Sequence, residues 1–331
     1  MSHRIRTALF AAVTVTALAV AVHPPGAAAA PLGAAPPTAA PPAAVPSAAT
    51  PLVGAAINGM TEYEAESAST NGSVIGPDYT QGDLATEASG RKAVQLSAGQ
   101  SVQFSLTASA NALDVHYSLS QGASGSLSVY VNGSKLGTGL ALTSQYSYIS
   151  TPGIQGSMTH HFYDDARMLL GQQLNAGDTV KLQVDGGDTA ATIDVADLFQ
   201  VPAAASQPGN SISVVDDGAD PSGNGDSANA FRQAINDAAA QGKSVWIPPG
   251  TFRVTSSLQA NAVTMSGAGS WCSIVRANAF INNPTSSVPG PVNLSNFAIL
   301  GSTVGRHDDS TQNAINGSLG SGSTVDGLWI Q

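Results

Sequence analysis

The stretch from Ile212 to Val254 constrains the fold of this 331-residue chain more than any other. It contains an apolar segment, a cluster of turn-forming residues, an amphipathic segment that ends at Gly242, and apolar residues around a Pro-Pro-Gly turn. One apolar stripe at helical spacing is formed by Ala230, Phe231, Ala234, Ile235 and Ala238. Only short apolar segments follow, so we predict a helix with Ser227 as its N-cap, and that helix covers the first coil of a parallel β-solenoid.

The composition favours thin β-structure built on small side chains. Only 10% of the residues are charged and 5% are aromatic, whereas glycine contributes 35 residues. The formal net charge of −10 repels phosphate backbones, which argues against nucleic acid as a partner. Neutral glycans are compatible with this charge because they are bound by hydrogen bonds and ring stacking. The single cysteine, Cys272, excludes a disulfide within the chain.

The N-terminus has the parts of an export signal. Two arginines precede an apolar run from Thr7 to Val22, and Ala27 to Ala29 offer a small-residue cleavage site. The run is shorter than the roughly 20 residues that span a bilayer. We therefore predict that residues 1–29 are a signal peptide and that the protein is secreted to the extracellular space; an uncleaved anchor is the alternative. The Pro/Ala-rich residues 30–57 are predicted to be a disordered linker.

Residues 58–201 change to an alternation of apolar and polar side chains. The alternating segments are VQFSL, LDVHYSL, LSVYV, VKLQV and ATIDVADLF. Asn-Gly pairs follow two segments of this domain, and short alternating strands with such turns indicate an antiparallel β-sandwich. Only Asp164 to Leu174 has a helical pattern, as a single turn. A short polar linker, residues 202–211, follows the domain.

Several motifs of this domain resemble a known family. EYEAES, EASGRKAVQLSAGQSVQFSL, SVYVNG and TIDVADLF occur in the order typical of carbohydrate-binding modules of the family 6 and family 35 type. The resemblance covers nearly the whole of residues 58–201. It implies a jelly-roll sandwich, in agreement with the alternation, and a structural Ca²⁺ ion.

Three carboxylates are the candidate ligands of that ion. Glu64 and Glu66 are two apart in sequence on a segment expected to be extended, so both would project from one face. Asp194 lies in the last strand, which in a jelly roll can lie near the first. Carboxylate and carbonyl oxygens are the ligands that Ca²⁺ prefers. The alternative is a solvated edge of acids. Asp197, on the face opposite to Asp194, is not expected to join the site.

Sugar binding needs an aromatic platform together with a few polar groups. Six aromatic or imidazole side chains fall in loop-like stretches of the domain: Tyr79, Tyr146, Tyr148, His160, His161 and Tyr163. Of these, Tyr146 and Tyr148 are the predicted sugar contacts. Ordinary packing is the alternative for each.

Residues 212–331 resemble the N-terminal part of the right-handed parallel β-helix proteins of the pectate lyase type. DDGADPSG and IPPGTF flank the first helix in the manner of that superfamily. Short apolar strands begin near Val263, Leu294 and Val325, which are equally spaced along the chain, and this spacing is typical of one coil per repeat. The predicted fold class is therefore all-β, a jelly-roll sandwich followed by the capped N-terminal coils of a right-handed β-helix.

The last stretch resembles a narrower family. FAILGSTVGRHDDSTQNAINGSLGSGSTVDGLWIQ is similar to the family 87 glycoside hydrolases, the mycodextranases and α-1,3-glucanases, which also place such a module ahead of a β-helix. The resemblance implies inverting endo-hydrolysis of α-1,3-glucan and an α-glucan partner. No stretch after the signal is apolar and long enough to span a bilayer, so no membrane partner is expected after signal cleavage. We expect a monomer. Asp308 and Asp309 are predicted to contact sugar in the groove; a solvated loop is the alternative.

No catalytic residue is assigned by the sequence. Inverting hydrolysis needs an acid and a base roughly 6.5–9.5 Å apart, and the resemblance places those aspartates in coils beyond Gln331. The chain stops inside an apolar segment without a cap, so a truncated enzyme is expected. A non-catalytic secreted glycan-binding protein is the alternative. A pectate lyase or polygalacturonase is disfavoured because the arginines and lysines of residues 212–331 are scattered.

Overall fold

The computed structural model describes residues 59–137, 139–147, 161–283, 290–303 and 313–331. These residues form two units, an antiparallel β-sandwich followed by a parallel β-helix. The prediction of an all-β chain with this order of domains is confirmed. Within the described ranges, no helix is long and apolar enough to cross a membrane.

The sandwich is built from two sheets. Its strands are β1 (Met60–Glu64), β2 (Ser69–Thr70), β3 (Ser73–Ile75), β4 (Ala93–Leu96), β5 (Ser101–Ser105), β6 (Ala110–Ser118), β7 (Ser124–Val131), β8 (Ser134–Lys135), β9 (Leu140–Thr143), β10 (Asp164–Leu174), β11 (Thr179–Gln183) and β12 (Ala191–Phe199). Sheet A has the order β10-β6-β12-β4-β3, with β1 also paired to β12. Sheet B has the order β2-β5-β11-β7-β8, with β9 also paired to β7. The short helix α1 (Leu84–Glu87) and two 3-10 turns, Ala65–Ser67 and Ser89–Arg91, lie in the connections.

The core of the sandwich lies between the inner faces of the two sheets, as the alternation predicts. Leu113, Val115 and Ile193 of sheet A pack in the same buried cluster as Phe104 and Val129 of sheet B. Because side chains alternate along a strand, every second residue of β6 and β12 points to the other side of sheet A. We call that side the outer face of sheet A.

The prediction of a helical turn at Asp164–Leu174 is wrong. This segment is β10, an antiparallel neighbour of β6 at the edge of sheet A. Ala166, Met168, Leu170 and Leu174 pack on the core, at the even spacing of a strand. Leu169 is 47% exposed on the other side, and its presence among buried apolar residues produces the pattern that resembles a helix.

The β-helix consists of one helix and a series of short strands within the described residues. They are β13 (Ser211–Ser213), β14 (Ser222–Asp226), α2 (Ala228–Gln241), β15 (Ser244–Ile247), β16 (Gly250–Arg253), β17 (Thr264–Gly267), β18 (Ser273–Arg276), β19 (Ile281–Asn283), β20 (Asn293–Ser295), β21 (Ala298–Leu300), β22 (Ile315–Gly317), β23 (Thr324–Asp326) and β24 (Trp329–Ile330). Three parallel sheets stack the coils: sheet C (β13-β15-β17-β20-β23), sheet D (β14-β16-β18-β21-β24) and sheet E (β19-β22).

Helix α2 is confirmed and covers the core of the β-helix. Its buried face presents Phe231, whose ring meets the rings of Phe252 and Phe280 edge-on at centroid distances of 5.9 and 5.8 Å. Gly242 ends the helix, as predicted, and it does so in the left-handed conformation. Ser227 occupies the N-cap position, but its side chain makes no cap hydrogen bond. Its Oγ instead accepts a hydrogen bond from the backbone N–H of Asp220 at 3.0 Å.

The parallel pairing defines the length of each coil. The predicted repeat from Leu294 to Val325 is confirmed because these two residues pair in sheet C. The predicted repeat from Val263 to Leu294 is wrong, since Leu294 pairs with Met265 and not with Val263. The preceding coil, which runs from Val245 to its partner Met265, is shorter than both later coils. Coil length therefore varies while the pairing of the strands is maintained.

Candidate functional site

The outer face of sheet A carries rows of charged side chains that run across neighbouring strands. Arg167 of β10 pairs with Asp114 of β6, which pairs with Asp197 of β12, which in turn pairs with Glu62 of β1. Paired residues project to the same side of an antiparallel sheet, so these four groups are neighbours. Three of the four are acids, so this face carries excess negative charge that has to be balanced by cations or hydrogen-bond donors.

An acidic cluster lies at one end of this face, where β1 passes into the Ala65–Ser67 turn. Ser89 links two of the predicted metal ligands: its Oγ donates to Glu64 Oε1 at 2.6 Å, and its backbone N–H donates to both oxygens of Asp194 at 3.0 Å. Glu66 lies alongside, because a Cβ added to Gly90 would stand 3.3 Å from its Oε1. Glu66 belongs to a 3-10 turn and not to the extended segment assumed from the sequence.

The electrostatics of the cluster leave two carboxylate oxygens without compensation. Burial, followed by the charge of Glu64, raises the pKa of Glu66, although a local backbone hydrogen bond and Lys92 oppose the shift. Glu64 Oε2 and Glu66 Oε2 are buried and accept no hydrogen bond in the described part of the protein. No three His, Cys, Asp or Glu side chains converge to hold a metal among those residues. The structure thus gathers the three predicted ligands around Ser89 without forming a closed metal site.

Asp194 reaches this cluster because β12 contains a bulge. Ile193 pairs with Tyr117 and Val195 with the adjacent His116, so Asp194 is the extra residue. The bulge turns the buried Asp194 to the outer face, where its Oδ2 lies 3.8 Å from His116 Nε2. Asp197 projects to the same side, so the prediction that Asp194 and Asp197 lie on opposite faces is wrong. Strict alternation fails at an inserted residue.

Sequence analysis missed Ser89 and His116. Ser89 lies within the quoted motif EASGRKAVQLSAGQSVQFSL, in the turn before β4, but a serine in a turn carries no distinctive signal. His116 is part of an alternating strand, and its Nδ1 lies 2.7 Å from Asp165 Oδ1. Its ring stacks on Tyr163 with centroids 5.1 Å apart. These partners come from β10 and from the residue just before it, which sequence spacing does not reveal.

A second site lies where the β-helix meets the outer face of sheet A. Trp271, in the turn between β17 and β18, and Trp329 of β24 form a buried cluster with Phe199 of the sandwich. The guanidinium of Arg167 lies 5.0 Å from the ring centroid of Trp271 and 4.6 Å from that of Trp329. Its Nη2 donates to the carbonyl of Ser270 at 3.0 Å. An arginine of one domain is therefore held by aromatic rings of the other.

Burial dominates the ionisation of this junction. Desolvation raises the pKa of Asp114 well above its ordinary value, and the charges of Asp165 and Asp197 add to the shift while Arg167 opposes it. Desolvation also lowers the pKa of Arg167 to about 10. Within the described residues, Asp114 Oδ1, Arg167 Nη1 and Trp271 Nε1 are buried without a hydrogen-bond partner. Polar groups at this junction are thus removed from water without all of their hydrogen bonds being replaced.

The predicted sugar contacts are only partly covered by the structure. Asp308, Asp309 and Tyr148 lie outside the described residues. Tyr146 is half-buried beyond β9, near Tyr117, whose pKa burial chiefly raises to about 12. These four side chains are therefore not brought together by any described contact.

Of the other aromatic candidates that the structure describes, one offers an open ring. Tyr79 is 75% exposed, and the guanidinium of Arg91 lies 4.7 Å from its ring centroid. Tyr163 is only 2% exposed and stacks on His116, so it packs in the domain and offers no platform for sugar. His160 lies outside the described residues. We assign no catalytic residue.

Two family models match the chain, one for each domain. The model described as alpha-1,3-glucanase catalytic domain D1 matches residues 59–201. The model described as rhamnogalacturonase A/epimerase, pectate lyase-like, matches residues 211–320. No curated protein sequence matches the chain.

Solved structures match the chain across both domains. The catalytic unit of a thermostable family 87 α-1,3-glucanase from Streptomyces thermodiastaticus strain HF3-3 is 55% identical, with a TM-score of 0.78 over 84% of this chain and 50% of that one. The catalytic domain of a family 87 α-1,3-glucanase in complex with nigerose is 27% identical, with a TM-score of 0.69 over 84% of this chain and 52% of that one.

A third match is the Agl-KA catalytic domain, at 27% identity and a TM-score of 0.63 over 76% of this chain and 49% of that one. The chain thus spans about half the length of the solved structures it matches. The order of the two domains is the one that the sequence motifs predicted, and the predicted family resemblance is confirmed. The chain is thus similar across both of its domains to family 87 α-1,3-glucanases, and its second domain matches a pectate-lyase-like family model.

Proposed function

We propose that this protein takes part in the hydrolysis of α-1,3-glucan, as a secreted glycoside hydrolase. The observation that carries the proposal is the 55% identity to the Streptomyces α-1,3-glucanase over 84% of the chain, which includes both domains. A second family 87 α-1,3-glucanase with the same two-domain similarity is solved in complex with nigerose. In this proposal the β-helix provides the groove for the glucan, and the sandwich is packed against it.

The reaction requires two carboxyl groups with different roles. In an inverting hydrolase one carboxylic acid protonates the leaving oxygen while a carboxylate activates a water on the other side of the sugar, so the two stand roughly 6.5–9.5 Å apart. Aspartates on neighbouring coils of a parallel β-helix can meet this distance, because adjacent strands lie about 4.8 Å apart. Asp308 and Asp309 are proposed to contact the sugar near these coils.

A graft tests the substrate. Residues 59–331 would replace the matching half of the Streptomyces catalytic unit, and the release of reducing sugar from α-1,3-glucan, dextran and pectin would be measured. We expect activity on α-1,3-glucan alone. The same graft with Asp308→Ala and Asp309→Ala should lose activity, whereas Ser302→Ala is the matched control. A cooperatively folded graft that cleaves pectin but not α-1,3-glucan would overturn the proposal.

Binding by the chain itself is a separate test. The protein would be mixed with insoluble α-1,3-glucan, and the fraction retained after washing would be compared with that on cellulose. We expect retention on α-1,3-glucan that is weakened by Tyr146→Ala. The control is Tyr130→Ala, because Tyr130 lies on sheet B. Equal retention on both polysaccharides would argue against a specific glucan contact.

We also propose that Glu64, Glu66 and Asp194 hold a structural Ca²⁺ ion. The support is physical: two buried carboxylate oxygens lack compensation, and burial together with repulsion from Glu64 raises the pKa of Glu66. A divalent cation bound by oxygen ligands would remove both costs. Since Ca²⁺ takes six to eight oxygens, backbone carbonyls or water would complete its shell.

Thermal unfolding tests the calcium proposal. The midpoint should rise with added Ca²⁺ and fall with chelator, and Glu64→Gln or Glu66→Gln should abolish this response. Glu62→Gln is the matched control, because Glu62 is a nearby glutamate of the same strand that lies outside the proposed ligand set. A midpoint that ignores Ca²⁺ in the unmodified protein would favour a solvated group of acids.

Export is the third part of the proposal, and its support is the three-part pattern of residues 1–29. When the full chain is expressed in a Gram-positive host, the protein recovered from the medium should begin at Ala30. Mass spectrometry of the intact protein measures this. Retention inside the cell with residues 1–29 attached would contradict the proposal.

A further inference from the structure

The sandwich was expected to be a module joined to the β-helix by a polar linker, but its outer face is shaped for a fixed contact. Asp114 is 5% exposed although it lies on the side of sheet A that faces away from the sandwich core. Phe199, also of sheet A, is 4% exposed on the same face. An isolated sandwich would leave this face in water, so the burial comes from what packs on it.

The β-helix supplies the covering groups from two of its coils. The turn that contains Ser270 and Trp271 lies between β17 and β18, whereas Trp329 lies in β24, at the far end of sheet D. The two indole rings meet edge-on with centroids 5.9 Å apart, and Phe199 lies 5.3 Å from Trp271. Because the rings come from separate coils, the contact spans the stacking direction of the β-helix.

The connecting segment is also attached at both ends. Asn111 exchanges two hydrogen bonds with the backbone of Val201, which fixes the segment to the sandwich. Further along, the N–H of Ala205 donates to the carbonyl of Ala268 at 2.9 Å, next to the turn that carries Trp271. In addition, the side-chain amide of Gln331 donates to the carbonyl of Asp165 at 2.8 Å. These bonds limit the movement of one domain relative to the other.

We propose that Arg167 is a positioning residue that locks the sandwich onto the β-helix, so that the two domains act as one rigid unit. Arg167 combines three contacts in one side chain: it stacks between two indole rings, donates to the Ser270 carbonyl, and stands opposite the buried Asp114. The sandwich then has a fixed position against the β-helix and is not a binding module that moves independently on a flexible linker.

The chemistry of the contact requires arginine. A guanidinium is planar, so it can stack on an indole ring and still donate hydrogen bonds in its own plane. A lysine at residue 167 would keep the positive charge but lose the stacking and the fork of donors. The two properties can therefore be separated by substitution.

The test uses the full chain and the variants Arg167→Ala and Arg167→Lys. Arg276→Ala is the matched control, since Arg276 is an exposed arginine of the β-helix. Acrylamide quenching of tryptophan fluorescence reports the junction, because Trp271 and Trp329 are two of the three tryptophans and Trp246 is buried within the β-helix. Calorimetry reports whether the domains unfold together.

The unmodified protein and Arg276→Ala should show one unfolding transition and protected tryptophans. Arg167→Ala should split the transition into two and raise quenching at temperatures well below unfolding. Arg167→Lys should raise quenching while the far-ultraviolet circular dichroism is unchanged, which also covers the case in which Arg167→Ala does not fold. Quenching at the level of the unmodified protein in Arg167→Lys, or two transitions in the unmodified protein, would overturn the proposal.

Discussion

Aspartates on the two outer faces of the sandwich have pKa values that are shifted in opposite directions. Asp188, in the loop that follows β11, accepts hydrogen bonds from the hydroxyls of Ser126 and Ser128 of sheet B, from the Ser128 N–H and from the Asp185 N–H, at 2.6 to 3.0 Å. Burial tends to raise the pKa of Asp188, but these bonds outweigh it and the pKa is lowered. On sheet A, the pKa of Asp114 is raised because burial dominates and nearby acids add to it.

The difference teaches that the hydrogen-bond donors around an acid, weighed against its burial, decide the direction in which its pKa is shifted. Just after β11 of sheet B, Asp185 accepts hydrogen bonds from Lys135 at 2.8 Å and from Tyr130 at 2.6 Å, and these bonds lower its pKa. Sheet A faces the β-helix, and Asp114 has to share Arg167 with two indole rings. A carboxylate that is bonded by donors stabilises the fold, whereas one that is covered without enough donors does not.

The largest effect is expected from Asp188→Ala. The substitution removes every hydrogen bond to this charged acceptor and should lower the free energy of unfolding by about 2 kcal/mol, since bonds to charged groups count more than neutral ones. Urea unfolding at neutral pH measures this change. If the free energy of unfolding is unaffected, hydrogen bonding is not what distinguishes sheet B from sheet A.

A smaller effect of opposite sign is expected from Asp114→Asn. Because the pKa of Asp114 is raised above 3.8 in the folded state, its contribution to stability is fully present below that value and is lost as pH rises through the folded pKa. The melting midpoint of the unmodified protein should therefore fall over this window, while Asp114→Asn flattens the fall. The acids Asp165 and Asp197 and the cation Arg167 face this group and set the window.

The measurement is the melting midpoint from about pH 4 to pH 8. Asp188→Asn is the matched control, because a lowered pKa predicts stability that is lost as pH falls. An equal pH dependence in the two variants would mean that the two faces do not differ in the way described.

The smallest effect is expected from Asp178→Asn. Asp178, in the turn before β11, accepts from the Asn175 N–H at 2.7 Å and from the Asn132 side chain at 3.0 Å, and both of these hydrogen bonds are exposed to water. Without burial, water replaces lost bonds, so urea unfolding should show a smaller change than for Asp188→Ala. A larger change would show that partial burial adds nothing to the bonds of Asp188.

Local chemistry made much of the sandwich and of the helix predictable. The Asn132-Gly133 turn is correct because both residues adopt positive φ, at 49° and 80°, which few other pairs tolerate. The prediction of helix α2 is correct because its apolar residues recur at helical spacing throughout and Gly242 ends the helix. In contrast, the prediction of a helical turn at Asp164–Leu174 is wrong because an exposed leucine lies among buried residues of this strand.

The sites were less predictable because their partners are distant in sequence. Asp194 was identified correctly as a neighbour of Glu64, but the bulge that turns it outward depends on the pairing of β12 with β6. The contact of Arg167 with Trp271 joins residues of different domains, and nothing in either local pattern indicates it. An acid in an alternating strand predicts a solvated face, and only the docked structure shows that the face is covered.

The unequal coils of the β-helix bear on how such a protein can diverge. The short coil from Val245 to Met265 and the longer coils that end at Leu294 and Val325 keep the same strand partners in sheet C. Each coil adds one strand spacing of about 4.8 Å to the stack, whatever its length. Extra residues therefore widen the outline of a coil without changing the height of the stack. Surface loops of the β-helix can lengthen or shorten by mutation while the side chains above and below them stay in register, so the surface can change without rebuilding the scaffold.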